Sequence, residues 1–305
     1  MRRLLRHGRC IIRADFEPGH PSLNHVLEPD GLAALIAEAL IAEALVAVAR
    51  IAADRNLMLI HVASAEAYAA GHIAGAIHVA PGELVSGIRP ATGQLPELAR
   101  LEQLFARIGY RPEATIVTYD DEGGGWAGRF IWTLDIIGHT DWLYLDGGIH
   151  AWAAAGMPID RTPVRPQPTQ VRLSIDRAPL ADAQDILDRL DDPNTVIWDC
   201  RSADEYTGTR ATAARNGHIP GAVHLDWLDL MDRARQLRLR TDVAALLASR
   251  GITPDKHVIA HCQTHHRSGL AYLVGRVLGY PDIRGYHGSW SEWGNRDDTP
   301  IETGQ

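Results

Sequence analysis

Apolar residues in this chain come in short unbroken runs bounded by polar turns, and these runs alternate with stretches of helical spacing. Leu59-Ile60-His61-Val62, Thr115-Ile116-Val117, Ile197-Trp198-Asp199-Cys200 and Val258-Ile259-Ala260 predict buried strands, while Ser268 to Leu278 carries the period of a helix. Such alternation predicts an α/β fold of mainly parallel sheets with helices on both faces. Two segments break the rhythm. Leu32 to Ile51 is rich in Ala, Leu and Ile, but Glu38, Glu43 and Arg50 interrupt it, so a core-packed helix is predicted and no membrane span. Ile159 to Gln170 is polar and proline-rich and predicts an extended linker.

The pattern is written twice. Tyr68 followed by Gly71-His72-Ile73-Ala74-Gly75-Ala76-Ile77-His78 returns as Tyr206 followed by Gly217-His218-Ile219-Pro220-Gly221-Ala222-Val223-His224. Thr115 to Asp120 aligns with His257 to Cys262, and Gly147 with Trp152 aligns with Gly288 with Trp293. The register slips once, which predicts an extra surface loop, Thr207 to Asn216, in the second copy alone. The expected organisation is an N-terminal extension at 1–25, a first copy at 26–158, a linker at 159–172 and a second copy at 173–305. Because His72, His78, His218 and His224 recur in both copies, they are read as maintaining the fold.

Composition narrows the possibilities. The 305 residues carry a net charge of -8, which argues against bulk nucleic-acid binding, and the run Arg233 to Arg240 reads first as a solvated face. Three cysteines, Cys10, Cys200 and Cys262, cannot form a disulfide framework and suit a reducing, cytoplasmic compartment. The basic start lacks the apolar stretch of an export signal.

Cys262 is the residue that points to chemistry. It ends one strand, opens the polar loop Gln263-Thr264-His265-His266-Arg267 and precedes a helix, beyond the C-terminal edge of a parallel sheet where ligands bind. Helix N-terminal N–H groups can lower a thiol pKa from about 8.5 to roughly 3.5–7.5, so a thiolate at neutral pH is expected. The first copy has Asp120-Asp121-Glu122 there, carboxylates that would repel an anion. Cys200, inside an apolar strand, reads as core.

The Gly-His-Ile-x-Gly-Ala turns, Asp199-x-Arg201, Gly288-Ser289-Trp290-Ser291-Glu292-Trp293 and above all the Cys262 loop resemble the rhodanese family, in particular two-domain members with an inactive first copy and an active second one. The resemblance implies two tandem rhodanese-like domains and a ping-pong transfer of sulfane sulfur from thiosulfate to cyanide or a cellular thiol, through a persulfide on Cys262. No cofactor or metal is implied; adjacent His265 and His266 lack the spacing of a zinc site and are expected to face solvent. Gln263 to Arg267 would cradle the persulfide, with Asp199, Arg201 and Trp227 in support. Arg267 would either contact substrate or brace the loop through a carboxylate such as Asp199. Animal members carry cations after the cysteine where this chain has Gln263 and Thr264, and a substrate-contacting arginine where it has Glu205. Three alternatives stand beside this reading. One is a persulfide carrier serving a sulfur-acceptor protein. A mercaptopyruvate sulfurtransferase is disfavoured by the missing Cys-Gly-Ser-Gly pattern, and a cysteine phosphatase by a loop too short for a phosphoryl group.

Overall fold

The computed structural model describes residues 25–37 and 56–304. Cys10, the basic start and the predicted 32–51 helix beyond Ala37 lie outside the described residues. The first copy runs β1 (Val26–Leu27), α1 (Pro29–Ala37), β2 (Leu57–Val62), α2 (Ala65–Ala70), β3 (Ile77–Val79), α3 (Leu98–Arg107), β4 (Thr115–Asp120), α4 (Gly125–Ile136), β5 (Trp142–Leu145) and α5 (Gly148–Ala154). The second copy follows with β6 (Leu180–Ala181), α6 (Ala183–Leu187), β7 (Thr195–Asp199), α7 (Ala203–Thr207), β8 (Val223–His224), β9 (Met231–Asp232), β10 (Arg238–Leu239), α8 (Val243–Ser249), β11 (His257–His261), α9 (Arg267–Val277), β12 (Ile283–Tyr286) and α10 (Ser289–Trp293).

Each copy forms a five-stranded parallel sheet, ordered β1-β5-β4-β2-β3 and β6-β12-β11-β7-β8. Strand alternation splits the burial between two faces. Met58, Ile60 and Val62 of the first copy share one apolar cluster with Val258, Ala260 and Cys262 of the second. Leu59 and Val117 face a separate cluster in the first copy, as Ile197 and Ile259 do in the second. Cys262 therefore points towards the other copy. Among the described residues no helix is long and apolar enough to cross a membrane.

The repeated histidines hold equivalent turns. The His72 ring stacks on Tyr68 at 3.9 Å and the His218 ring on Tyr206 at 3.8 Å, while the two tyrosine hydroxyls donate to Ala76 O and Ala222 O. Gly75 and Gly221 turn the chain at φ 81° and 69°, where a side chain would be strained. His72 bridges Asp160 as His218 bridges Glu302, so the linker is strapped onto the first copy. The basic run is also anchored. Its end forms β10 of the β9–β10 hairpin, with Arg238 paired to Glu28 at 2.8 Å and Leu239 N–H donating to Asp146 at 2.8 Å, so this end clamps the first copy while Arg233, Ala234 and Gln236 remain exposed.

The copies meet where α4 crosses α9. A Cβ on Gly128 would lie 2.2 Å from the Gly269 carbonyl oxygen, so the two backbones touch. Gly128→Ala is expected to lower stability by about 1–3 kcal/mol through overpacking, despite the better helix propensity of alanine. Urea denaturation checks this: a midpoint equal to or above that of the wild type would contradict the crossing.

Candidate active site

Strand β11 delivers Cys262 to the C-terminal edge of its sheet, and the backbone after it reverses at His265 (φ 53°) before α9 begins. A left-handed residue followed by right-handed ones turns successive N–H groups to one side, making an anion nest. The backbone N–H and hydroxyl of Ser268 favour the ionised form of the Cys262 sulfur, and the Ser268 Oγ lies 2.8 Å from His265 Nδ1. Burial pushes the thiol up, but Arg267, the Ser268 N–H and His266 outweigh it and bring Cys262 down to about 7. The loop is pinned from outside: Trp290 N–H donates to Cys262 O, Ser291 N–H to Gln263 O, and Ser289 Oγ accepts from Cys262 N–H at 3.4 Å.

The first copy shows what this loop shape holds. Asp120, aligned with Cys262, folds its carboxylate into its own loop and accepts the N–H groups of Glu122, Gly123, Gly124 and Ala127 at 2.8–3.2 Å. Its cradle is filled by a covalently attached anion. The second copy presents the equivalent loop to a sulfur.

Several expectations change. His265 has no exposed surface and is held neutral by burial, with Arg129 reinforcing this, so it is not a solvent-facing histidine. The carboxylate that braces Arg267 is Glu205, through bonds of 2.6 and 2.9 Å, not Asp199. Asp199 instead pairs with buried Arg201, which also donates to Gly217 O and lies 4.3 Å over the Trp290 ring. These two residues brace the turn behind the loop. The extra loop is not merely peripheral, since Thr212 O accepts the Gln263 side-chain amide at 2.9 Å. Glu122 of the first copy reaches across to bond His266, and within its own loop it acts as the expected repulsive charge: burial first and Glu122 next push the Asp120 carboxyl up to about 6. The His266 ring stacks on Trp126 at 4.3 Å, with Trp227 at 5.7 Å. Cys200 is fully buried, and its thiol is pushed well up by burial and by the neighbouring Cys262.

Cys262 itself has no exposed surface; Gln263, Thr264, His266 and Arg267 form a half-buried rim above it. The seal is partly the work of the first copy. A Cβ on Gly93 would lie 2.2 Å from Thr264 O, and Leu95 N–H donates to His287 Nδ1 at 2.8 Å. Sequence reading missed Gly93, Arg129, Ser289 and the Glu205–Arg267 pair, because each contact joins segments far apart in the chain.

The rhodanese-like domain model matches residues 45–155 and 182–296. The chain belongs to the rhodanese-like domain family. Thiosulfate sulfurtransferases of Pseudomonas aeruginosa and Azotobacter vinelandii are each 50% identical over 246 residues, covering 81% of this chain and 91% of theirs. The sulfur carrier protein TtuD of Thermus thermophilus is 30% identical over 216 residues, covering 67% of this chain and 76% of its own. Wild-type EanB shares the fold, with a TM-score of 0.79 at 21% identity over 92% of this chain and 69% of EanB.

Two measurements probe the site. Iodoacetamide alkylation of Cys262 should accelerate with pH, pass half-maximum near the thiol pKa of about 7 and then level off. The pair Arg267→Gln with Glu205→Gln removes the nearest cation without stranding its carboxylate, and the half-maximum should then rise by about one unit or more. Gly93→Ala should displace Thr264 and lower sulfur-transfer turnover on the order of 10²-fold, the scale of a 1 Å misplacement. Unchanged turnover would show that the Gly93–Thr264 contact does not shape the loop.

Proposed function

We propose that this rhodanese family member is a thiosulfate sulfurtransferase that works through a persulfide on Cys262. The observation that carries the reading is a sulfur ionised near neutrality inside a loop whose twin cradles a carboxylate. The Cys262 thiolate attacks the outer sulfur of thiosulfate; a sulfur–sulfur bond forms to the protein, the bond to the sulfonate sulfur breaks, and sulfite leaves with the electron pair. Sulfite is a weakly basic leaving group, so no general acid is required. The terminal persulfide sulfur keeps the negative charge, and the N–H groups of the Gln263 to Arg267 loop stabilise it. Cyanide or a thiolate then takes that sulfur and restores Cys262.

Arg267, held by Glu205, acts as a fixed positive wall beside the sulfur, while Asp199, Arg201 and Trp227 support the loop. Sparse cysteines favour a reducing cytoplasmic setting. The division into copies at 26–158 and 173–305, joined through 159–172, assigns the chemistry to the second copy. The relation to a protein named a sulfur carrier favours a second reading, in which a partner protein is the acceptor. Loop length speaks against phosphoryl transfer, with only Gln263 to His266 between the cysteine and the arginine.

Mass spectrometry after thiosulfate treatment should show a gain of a single sulfur on Cys262, lost on adding cyanide, and Cys262→Ser should form no thiocyanate. An unchanged mass would sink the thiosulfate reading. Slow thiocyanate turnover with efficient loading by a desulfurase would favour the carrier.

A further inference from the structure

One cation near Cys262 comes from the copy that lacks a cysteine. Arg129 lies on α4 with no exposed surface, and among the described residues no carboxylate pairs with it. Its Nη2 donates to Leu84 O at 2.7 Å, its Nη1 reaches His265 O at 3.5 Å, its Cζ lies 4.5 Å from the Trp132 ring centre, and its Nε has no partner. A buried guanidinium without a counter-ion is costly, and its side chain would ordinarily find a carboxylate or solvent. Burial brings Arg129 down to about 9, with Cys262 as the anion that opposes the fall.

The contact to His265 O has a geometric consequence. Across a trans peptide the C=O and the next N–H point in opposite directions, so a carbonyl drawn towards Arg129 turns the His266 N–H away from it, into the loop. The duplication sharpens the point. The aligned residue of α9 is Ala271, which cannot reach the first copy's loop. The arginine exists only where it faces the cysteine.

We propose that Arg129 is a positioning residue for sulfur transfer: it sets the His265–His266 peptide of the cradle and supplies a buried positive charge that favours an anionic sulfur on Cys262. The proposal rests on the persulfide reading above. The groups facing Cys262 are Arg267 and His266 of its own loop, the latter bonded to Glu122, with Ser268 and Ser289, the neutral Cys200 just past the end of β7, and Arg129 from the first copy.

The test compares Arg129→Met and Arg129→Lys by two readouts, the pH profile of Cys262 alkylation and kcat for thiocyanate formation. In Arg129→Met the alkylation half-maximum should rise, by less than on removing Arg267, which is the larger influence on the sulfur. In Arg129→Lys it should stay within about 0.3 units, because the charge remains. Turnover should still fall roughly tenfold there, since an ammonium cannot span Leu84 O and His265 O as the planar fork does. A half-maximum unmoved in Arg129→Met overturns the proposal, as does full turnover in Arg129→Lys. If Arg129→Met does not fold, Arg129→Lys decides alone: reduced turnover with the profile kept supports the proposal, and any other result overturns it. Alkylation is independent of sulfur transfer, so an inactive wild type with a low thiol pKa would fail the function while leaving the electrostatic role of Arg129 measurable.

Discussion

A buried anion held by backbone N–H groups is the interaction on which the rest of this molecule depends. An ionised sulfur with no exposed surface is unfavourable in a protein interior unless donors and positive charge surround it. The reversal at His265, the N–H and hydroxyl of Ser268, and the Arg267 guanidinium supply those groups. Each is fixed in turn by something behind it: Glu205 holds Arg267, Ser289 to Ser291 hold the strand end, and Thr212 holds Gln263. The site is a set of dipoles arranged before substrate arrives, and sulfur chemistry needs little else, because thiolate attack and sulfite departure make no demand for proton transfer.

Duplication explains both the resemblance between the copies and their unequal roles. The parallel sheets and the Tyr–His stacked turns are common to both and maintain the fold in each. At the loop the copies part. In the first, Asp120 occupies the cradle permanently, so no exogenous anion is needed to satisfy the donors. That copy still contributes to the other's site. Glu122 and Trp126 contact His266, Gly93 packs on Thr264, and Arg129 reaches His265 O. The close helix crossing at Gly128 and Gly269 brings these residues within reach, and the β9–β10 hairpin ties the copies together on another side.

Legibility in the sequence followed the range of the interaction. The strand–cysteine–loop–helix pattern around Cys262 is contiguous, so its local shape and chemistry could be read directly. The repeated histidines were readable as structural because their recurrence in a copy without a cysteine separates them from the chemistry. The partner of Arg267 was not readable: Asp199 and Glu205 both lie near the end of β7, and only folding shows that Asp199 is already committed to Arg201. His265 looked like a polar loop residue and is buried, because α4 of the first copy closes over it. Arg238 looked solvated for the opposite reason, since its acidic partner Glu28 lies at the far end of the chain.

By itself the sequence determined the α/β alternation, the duplication, which copy carries the cysteine loop, and the helix start behind that loop. These follow from periodicity and from residues adjacent in the chain, where backbone geometry alone sets who meets whom. The tertiary structure decided how far the sulfur is buried, which carboxylate neutralises which guanidinium, and that the cysteine-free copy lends a charge to the other. Those outcomes depend on which segments folding brings together: Glu205 and Arg267 stand 62 positions apart and Arg129 and His265 136, and no local pattern encodes such contacts.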